Sequence, residues 1–465
     1  MLRYIKYFLT ALSVMVALSA KAEDTVRRPK NKRADKWVDS IYSTMTQHER
    51  IGQLFMIAAY SNKDSAHIKE IDSLIIKYKI GGLIFMQGGP LRQMRLTNRY
   101  QSLSKIPLFI AIDGEWGLSM RLDSTIVFPK QMTMGALSSD KLIYDFGKEV
   151  GYQCKRMGIH INFAPVVDVN NNRMNPVIGY RSFGEDVEKV TLKATQYMRG
   201  MQSQGVLACA KHFPGHGDTD SDSHLSLPVI KHKKSRLDDV ELYPFKKMID
   251  DTLASIMVAH LYVPALDDEE NRATTLSEKV VRKLLKNKLG FKGLIFTDAL
   301  NMKGVSSYYA PGEVDKLAFK AGNDVLLFSQ DVPKALRVLD SAILNKEIDE
   351  ERLEESVKKI LYYKYKVGLN HYKQLDTTHL IKDLNNGHAQ ALREEVYRKA
   401  VTLVKNEKNL IPIKEVSRLK MACVVVGNED DGIVASSFRR YAAIDYFFVD
   451  KKNELTQYQK LWDKV

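Results

Sequence analysis

Cysteine is nearly absent: Cys154, Cys209 and Cys423 are the only three in 465 residues. Three thiols cannot all pair, and these lie far apart in or beside apolar stretches, so no disulfide framework holds the fold together. They read as small buried residues. The chain also lacks internal repeats, low-complexity tracts and any apolar run long enough to cross a membrane comfortably. These absences exclude a disulfide scaffold, a repeat array and a polytopic membrane protein. Acidic residues are outnumbered, 56 against 70 Lys and Arg, for a net charge of +14.

Hydrophobic residues make up 45% and charged residues 27%. That composition supports a large packed core, and the length suits two domains. The N-terminus, "MLRYIKYFLTALSVMVALSAKAEDT", has Arg3 and Lys6 before an apolar run of about 14 residues and then the A-x-A form Ala20-Lys21-Ala22. Residues 1–22 are therefore expected to be a secretory signal peptide, which makes the protein exported, periplasmic or secreted, with no stable membrane span after cleavage. No cysteine follows the small-residue site, which argues against a lipoprotein. Cleavage would remove three positive charges (Arg3, Lys6, Lys21) and leave +11. Such a surface suits an anionic partner such as cell-wall material, or serves solubility. Nothing points to nucleic acid.

From residue 50 to about 330, short apolar runs alternate with amphipathic segments. The runs are 53–59, 81–87, 107–113, 160–169, 206–213, 255–261, 293–300 and 324–329. They are almost continuously apolar, as strands covered on both faces should be. Helical patterns fall at 138–157, 185–203, 234–252 and 277–289, with two more at 331–345 and 350–367. Eight strand–helix units imply a closed (β/α)₈ TIM barrel, placed at residues 35–370. Asp113, Asp168, Lys211, His212, His260 and Asp298 fall at or near the C-terminal ends of five of these strands, the face on which barrel active sites are built. Residues 371–399 read as a charged, helix-like linker. Residues 400–465 read as the start of a C-terminal α/β segment of sandwich type, which would be incomplete.

One stretch concentrates titratable groups. "KHFPGHGDTDSDSHLSLPV" (211–229) holds three histidines, three aspartates and a lysine. Asp218, Asp220 and Asp222 have the spacing of a calcium loop, but Ser223 and Val229 stand where that loop needs Gly and Glu. His212 and His216 are four apart, yet Pro214, Gly215 and Gly217 prevent the helix that would aim both at zinc. The glycines suggest a mobile loop. Asp222 and His224, two apart, share a face if the segment is extended. A carboxylate beside an imidazole raises its pKa and fixes its tautomer, giving a general acid and base near neutral pH; the alternative is a pair of solvated loop residues. "LIFTDALNM" puts Asp298 after an apolar run, where it is either a nucleophile or the cap of the next helix.

With "KHFPGHGDTDSDSH", "GYRSFGED" (179–186), "MVAHLYVPALD" (257–267) and "FTDALNM" (296–302) in this order, the chain resembles glycoside hydrolase family 3 over residues 40 to 330. It looks most like the β-N-acetylglucosaminidase branch of NagZ type. The resemblance implies a retaining, exo-acting β-N-acetylhexosaminidase that releases terminal β-linked N-acetylglucosamine from muropeptides or related glycans. It implies Asp298 as nucleophile, His224 with Asp222 as the acid–base dyad, and Asp113, Arg121, Arg181, Lys211 and His212 around the terminal sugar. No metal or organic cofactor is implied. "AVTLVKNEKNLIPI" (400–413) is similar to the opening of that family's C-terminal domain. One departure stands out: the family commonly reads D-Q-E-G-G-R after strand 3, and this chain reads "DGEWGL" (113–118). Trp116 is a candidate to pack beneath the loop. Two rival readings are a β-glucosidase or xylosidase of the same family, which lacks the D-S-H triplet, and a glycan-binding scaffold with a dead site.

Overall fold

The computed structural model describes residues 31–223, 226–427, 432–450 and 459. The expected signal peptide (1–22) and His224 lie outside them. Two compact units divide between Val401 and Thr402.

The first unit is a (β/α)₈ barrel. Its strands are β1 (Phe55–Ala59), β2 (Gly82–Phe85), β3 (Phe109–Ile112), β4 (Ile161–Asn162), β5 (Leu207–Phe213), β6 (Ser255–Val258), β7 (Leu294–Thr297) and β8 (Leu326–Leu327). All run parallel in the order β7-β6-β5-β4-β3-β2-β1-β8. The Phe296↔Val325 bridge and the Thr297 N–H to Val325 carbonyl bond close the ring between β7 and β8. Each expected apolar run contains one strand. Every strand residue is buried except Ala58, which is half-buried, because helices cover the outside and side chains fill the inside.

The helical patterns are realised with two differences: the expected 234–252 helix is two, Lys234–Asp239 and Tyr243–Asp250, the second with proline in its first turn, and the expected 277–289 helix winds as a π-helix over Lys279–Lys288. Helices Asp140–Arg156 and Val187–Ser203 pack unusually close. A Cβ on Gly147 would lie 2.4 Å from the Tyr197 carbonyl oxygen, and one on Gly200 would lie 2.3 Å from that of Tyr144. Only glycine permits that approach.

Residues 371–399 are not a free linker. They hold the helices Leu380–Leu384 and Gly387–Ala400. Leu380, Leu384, Leu392 and Val396 are buried in the barrel core, and Arg156 Nε donates to Asp383 Oδ2 at 2.9 Å. The apolar spacing on these short helices outweighs their charge: burying four large side chains stabilises by several kcal/mol, at roughly 1.5–3 kcal/mol each.

The second unit has two parallel strands, β9 (Ala422–Gly427) and β10 (Asp445–Asp450), joined through the helix Ile433–Phe438. Cys154 and Cys209 are buried free thiols and Cys423 is partly exposed. Burial pushes the thiols of Cys154 and Cys209 up to about 12, so both are inert. Among the described residues no helix is long and apolar enough to cross a membrane.

Candidate active site

The segments following the strands enclose a cavity of about 410 Å³ at the C-terminal end of the barrel, lined by Asp113, Glu115, Arg121, Arg181, Lys211, His212 and Asp298 among others. That is within the range of small-ligand sites.

A buried charge network forms one wall. Asp113 follows β3. Its Oδ1 accepts from Lys211 Nζ at 2.8 Å and its Oδ2 from Arg121 Nη2 at 2.8 Å. Lys211 Nζ also lies 2.9 Å from Glu115 Oε1, and Arg181 grips Glu115 from the other side, Nη2 to Oε1 at 2.7 Å and Nε to Oε2 at 3.0 Å. Glu115 is wholly buried. Burial alone would raise its pKa, but Arg181 and Lys211 overcome that and hold it well below the ordinary carboxylate range. Burial opposes ionisation of Asp113 and Lys211 too, and each keeps the other charged: Asp113 is lowered, chiefly by Lys211 and Arg121, and Lys211 is raised by Asp113 and Glu115. Arg121 Nε is buried with no hydrogen-bond partner among the described residues.

A second group forms the base of the 211–229 loop. The Lys211–His212 peptide is cis, and both side chains line the cavity. Asp168, after β4, accepts from the His216 backbone N–H at 2.7 Å and lies 2.7 Å from His212 Nδ1. The buried His216 ring is held between Thr219 Oγ1 (2.8 Å) and Ser223 Oγ (3.1 Å). Burial, with His212 beside it, pushes the His216 imidazole down to about 4, so it is neutral at pH 7. The loop base is therefore fixed. Its glycines serve close approach rather than slack: a Cβ on Gly217 would lie 1.8 Å from the Val169 carbonyl oxygen, and Gly215 adopts φ +137° against Glu241. Asp218 is engaged by His232 Nε2 at 2.6 Å and approached by Arg236 Nη2 at 3.8 Å. Asp222 is half-buried and its carbonyl accepts from Ser226 N–H at 3.0 Å. Ser223, between Asp222 and His224, lines the cavity.

Asp298 faces the cavity just after β7. It does not cap the next helix, which begins at Lys303 with Met302 as its N-cap. Its Oδ1 accepts from the Ala299 N–H at 2.8 Å. Burial would raise its carboxyl, but His260, His212, that N–H and Lys211 outweigh burial and hold it below the ordinary value. His260 does not line the cavity. It sits behind, Nδ1 2.8 Å from Thr275 Oγ1 and Nε2 3.0 Å from the Ala299 carbonyl oxygen, bracing the turn that carries Asp298. Phe328, after β8, closes another side with the left-handed φ of +52°. A bulky residue held there is strained, and such strain clusters at functional sites.

Over residues 46–362 the chain matches the glycosyl hydrolase family 3 N-terminal domain. The chain belongs to glycosyl hydrolase family 3. Beta-hexosaminidase A of Pseudoalteromonas piscicida is 33% identical over 384 residues, which are 74% of this chain and 62% of that protein. Beta-hexosaminidase of Nitrosomonas eutropha is 32% identical over 56% of this chain and 77% of its own length. A solved family 3 β-N-acetylglucosaminidase from Paenibacillus sp. superposes with a TM-score of 0.79 at 30% identity, covering 91% of this chain and 84% of that one. This chain thus spans less than two thirds of the Pseudoalteromonas relative.

Of the eight site residues expected from the sequence, six line this cavity: Asp113, Arg121, Arg181, Lys211, His212 and Asp298. Asp222 stands beside it through Ser223, and His224 lies outside the described residues. Of the two further carboxylates here, the sequence places Asp168 on the active-site face without a specific role and gives Glu115 none. Glu115 is visible there only as part of the altered "DGEWGL", because its partners are 66 and 96 positions away. Trp116, half-buried, lines the cavity beside Tyr180.

Proposed function

We propose that the barrel is a retaining, exo-acting β-N-acetylhexosaminidase that removes terminal β-linked N-acetylglucosamine from cell-wall glycans or related chains. The observation that carries this reading is Asp298. It is an ionised carboxylate at the cavity floor, beside a ring of paired charges suited to sugar hydroxyls. In the first step Asp298 attacks the anomeric carbon while a proton passes from His224, oriented by Asp222, to the leaving oxygen. A covalent glycosyl–Asp298 ester results. His224 then takes a proton from water, which attacks the same carbon and releases Asp298 with net retention. Asp113, Arg121, Arg181, Lys211 and His212 hold the sugar. The names of the family 3 relatives support the β-N-acetylglucosaminide as substrate, and the D-S-H triplet supports the histidine acid. The signal-like residues 1–22 support export, where cell-wall material is met.

The test is release of p-nitrophenol from the β-N-acetylglucosaminide and the β-glucoside side by side. The N-acetylglucosaminide should be favoured by at least about tenfold in kcat/KM, the scale of one well-placed polar contact. Preference for the glucoside would move the chain to the glucosidase branch. Turnover of neither, with sugar still bound, would favour a binding protein.

A further inference from the structure

The segment that follows the 211–229 loop reaches back to hold it. His232 Nε2 lies 2.6 Å from Asp218 Oδ2, and Arg236 Nη2 approaches the same oxygen at 3.8 Å. Arg236 Nη1 donates to both oxygens of Glu241, at 2.7 and 2.8 Å. Glu241 is buried and lies against Gly215, where an added Cβ would come within 2.7 Å of the Glu241 Cβ. Contacts therefore run from Gly215 to Glu241, to Arg236 and back to Asp218, a ring closed on the loop itself. The far end of the loop is pinned separately. The Tyr262 N–H donates to the Pro228 carbonyl at 2.8 Å, and the Ile230 N–H to the Tyr262 carbonyl at 2.9 Å.

Two other roles fit this cluster less well. Asp218, His232 and Glu241 bring one ligand atom each within 4.8 Å of one another, as a metal site would. The Arg236 guanidinium already supplies the positive charge beside both carboxylates, so an ion would have to displace it. Sugar contact does not fit either, since none of the four residues lines the cavity. Their place in the chain points to the loop instead. Asp218 is four residues before Asp222, and Ser223, the next residue, lines the cavity. One guanidinium thus fixes the loop at two points, Asp218 directly and Gly215 through Glu241. The burial of Glu241 keeps Arg236 in place, because a carboxylate taken out of water needs its cation. Proton transfer is sensitive to such placement: a shift of about 1 Å can cost on the order of 100-fold in rate.

We propose that Arg236 is a positioning residue, which acts through Glu241 and Asp218 to hold the loop carrying Asp222 and His224 in register for proton transfer to the leaving oxygen, and that His232 supports it at Asp218. This rests on the reading of His224 and Asp222 as the acid–base dyad. It assigns a part in the reaction to residues that touch neither the sugar nor the reacting atoms.

The experiment measures kcat/KM of the full chain for an alkyl and for the p-nitrophenyl β-N-acetylglucosaminide. The alkyl leaving group needs the proton and the aryl one needs it little, so the alkyl-to-aryl ratio reads proton delivery. Arg236→Met should lower that ratio by about tenfold, part of the rate that a well-placed acid supplies. Inhibition by free N-acetylglucosamine should stay within about twofold of wild type, because no sugar contact is lost. Arg236→Met leaves Glu241 buried without its cation, so the double variant Arg236→Met/Glu241→Gln is measured beside it, with melting curves for both, and should show the same ratio. Asp218→Asn tests the link from the partly exposed side without disturbing Glu241, and His232→Gln removes the outer partner; each should lower the ratio by about threefold, the scale of an exposed ion pair. Arg236→Lys should keep most of the ratio, since both Glu241 contacts come from a single nitrogen that Nζ can replace. A ratio lowered by His224→Ala but unchanged in the folded double variant and in Asp218→Asn overturns the proposal alone. A ratio unmoved even by His224→Ala overturns the acid reading, and the positioning role falls with it.

Discussion

His212 Nδ1 lies 2.7 Å from Asp168 Oδ2, and both residues are buried. The carboxylate fixes the imidazole with Nδ1–H toward Asp168 and turns Nε2 toward Arg181 Nη2, 3.4 Å away. Asp168 is lowered although burial alone would raise it, because His212, His216 and the His216 N–H stabilise its charge. One carboxylate thus sets the tautomer of a cavity histidine and ties down the start of the loop.

Asp168→Asn should lower kcat/KM by about 10- to 100-fold, the range for losing a hydrogen bond to a charged group. The amide presents a donor where His212 and the backbone also donate. Steady-state kinetics over a pH series would read this. Activity within about threefold of wild type across the series would mean that the ring does not depend on Asp168 for its orientation.

Glu115→Gln should cost about 3–5 kcal/mol of stability, because it leaves Arg181 and Lys211 short of a buried counter-charge. The pH dependence has a definite sign. The folded carboxyl is held below its ordinary value near 4.5, so its stabilisation is present above that pH and disappears as pH falls. Urea midpoints should therefore fall more steeply between pH 5 and pH 3 for wild type than for the variant. Parallel curves would mean that Glu115 is not ionised in the folded protein.

If His224 delivers the proton, His224→Ala should slow glycosylation at least about tenfold more for an alkyl or sugar aglycone than for p-nitrophenolate, which leaves without much protonation. Asp222→Ala should act in the same direction and more weakly. Asp298→Ala should abolish turnover of both, by more than about 10³-fold, while the melting temperature holds. Equal losses on good and poor leaving groups in the His224 variant would assign the loop to sugar binding alone.

The barrel was legible because its signal is local. Eight apolar runs spaced by amphipathic helices need no knowledge of what touches what, and Asp298 announces itself by ending one of them. Glu115 stays unread in the sequence, and Asp168 is placed on the active-site face without a role, because their meaning lies in partners far along the chain: Arg181 for one, the His212–His216 turn for the other. The segment 371–399 misled for a related reason. Its charge is visible in sequence, whereas the groove that buries Leu384 and Leu392 belongs to helices more than 200 residues earlier. Gly217 shows the same limit, since the Val169 carbonyl that excludes its Cβ cannot be read from the loop.

At the other end of the barrel from the cavity, Lys364 is fully buried. Its Nζ donates to Gln53 Oε1 at 2.6 Å and sits 5.5 Å from the Phe109 ring centroid. Burial pushes this lysine down to about 7. The unfolded chain keeps its proton to about 10.5, so between pH 7 and pH 10 the unfolded state binds more protons than the folded one, and wild-type stability rises with pH. Methionine fills a similar volume without a charge. Lys364→Met should therefore stabilise by roughly 1–3 kcal/mol at pH 6, after subtracting about 1 kcal/mol for the hydrogen bond lost at Gln53. The gain should shrink toward pH 10, where the wild-type lysine is mostly neutral in the folded state. Activity should stay within about twofold, since the residue sits near the N-terminal ends of β1 and β3, away from the reacting centre. Thermal melts at pH 6, 8 and 10 decide it: a methionine variant less stable than wild type at pH 6 would show that the barrel floor accommodates the ammonium group, and that its charge contributes to holding the first strands in place.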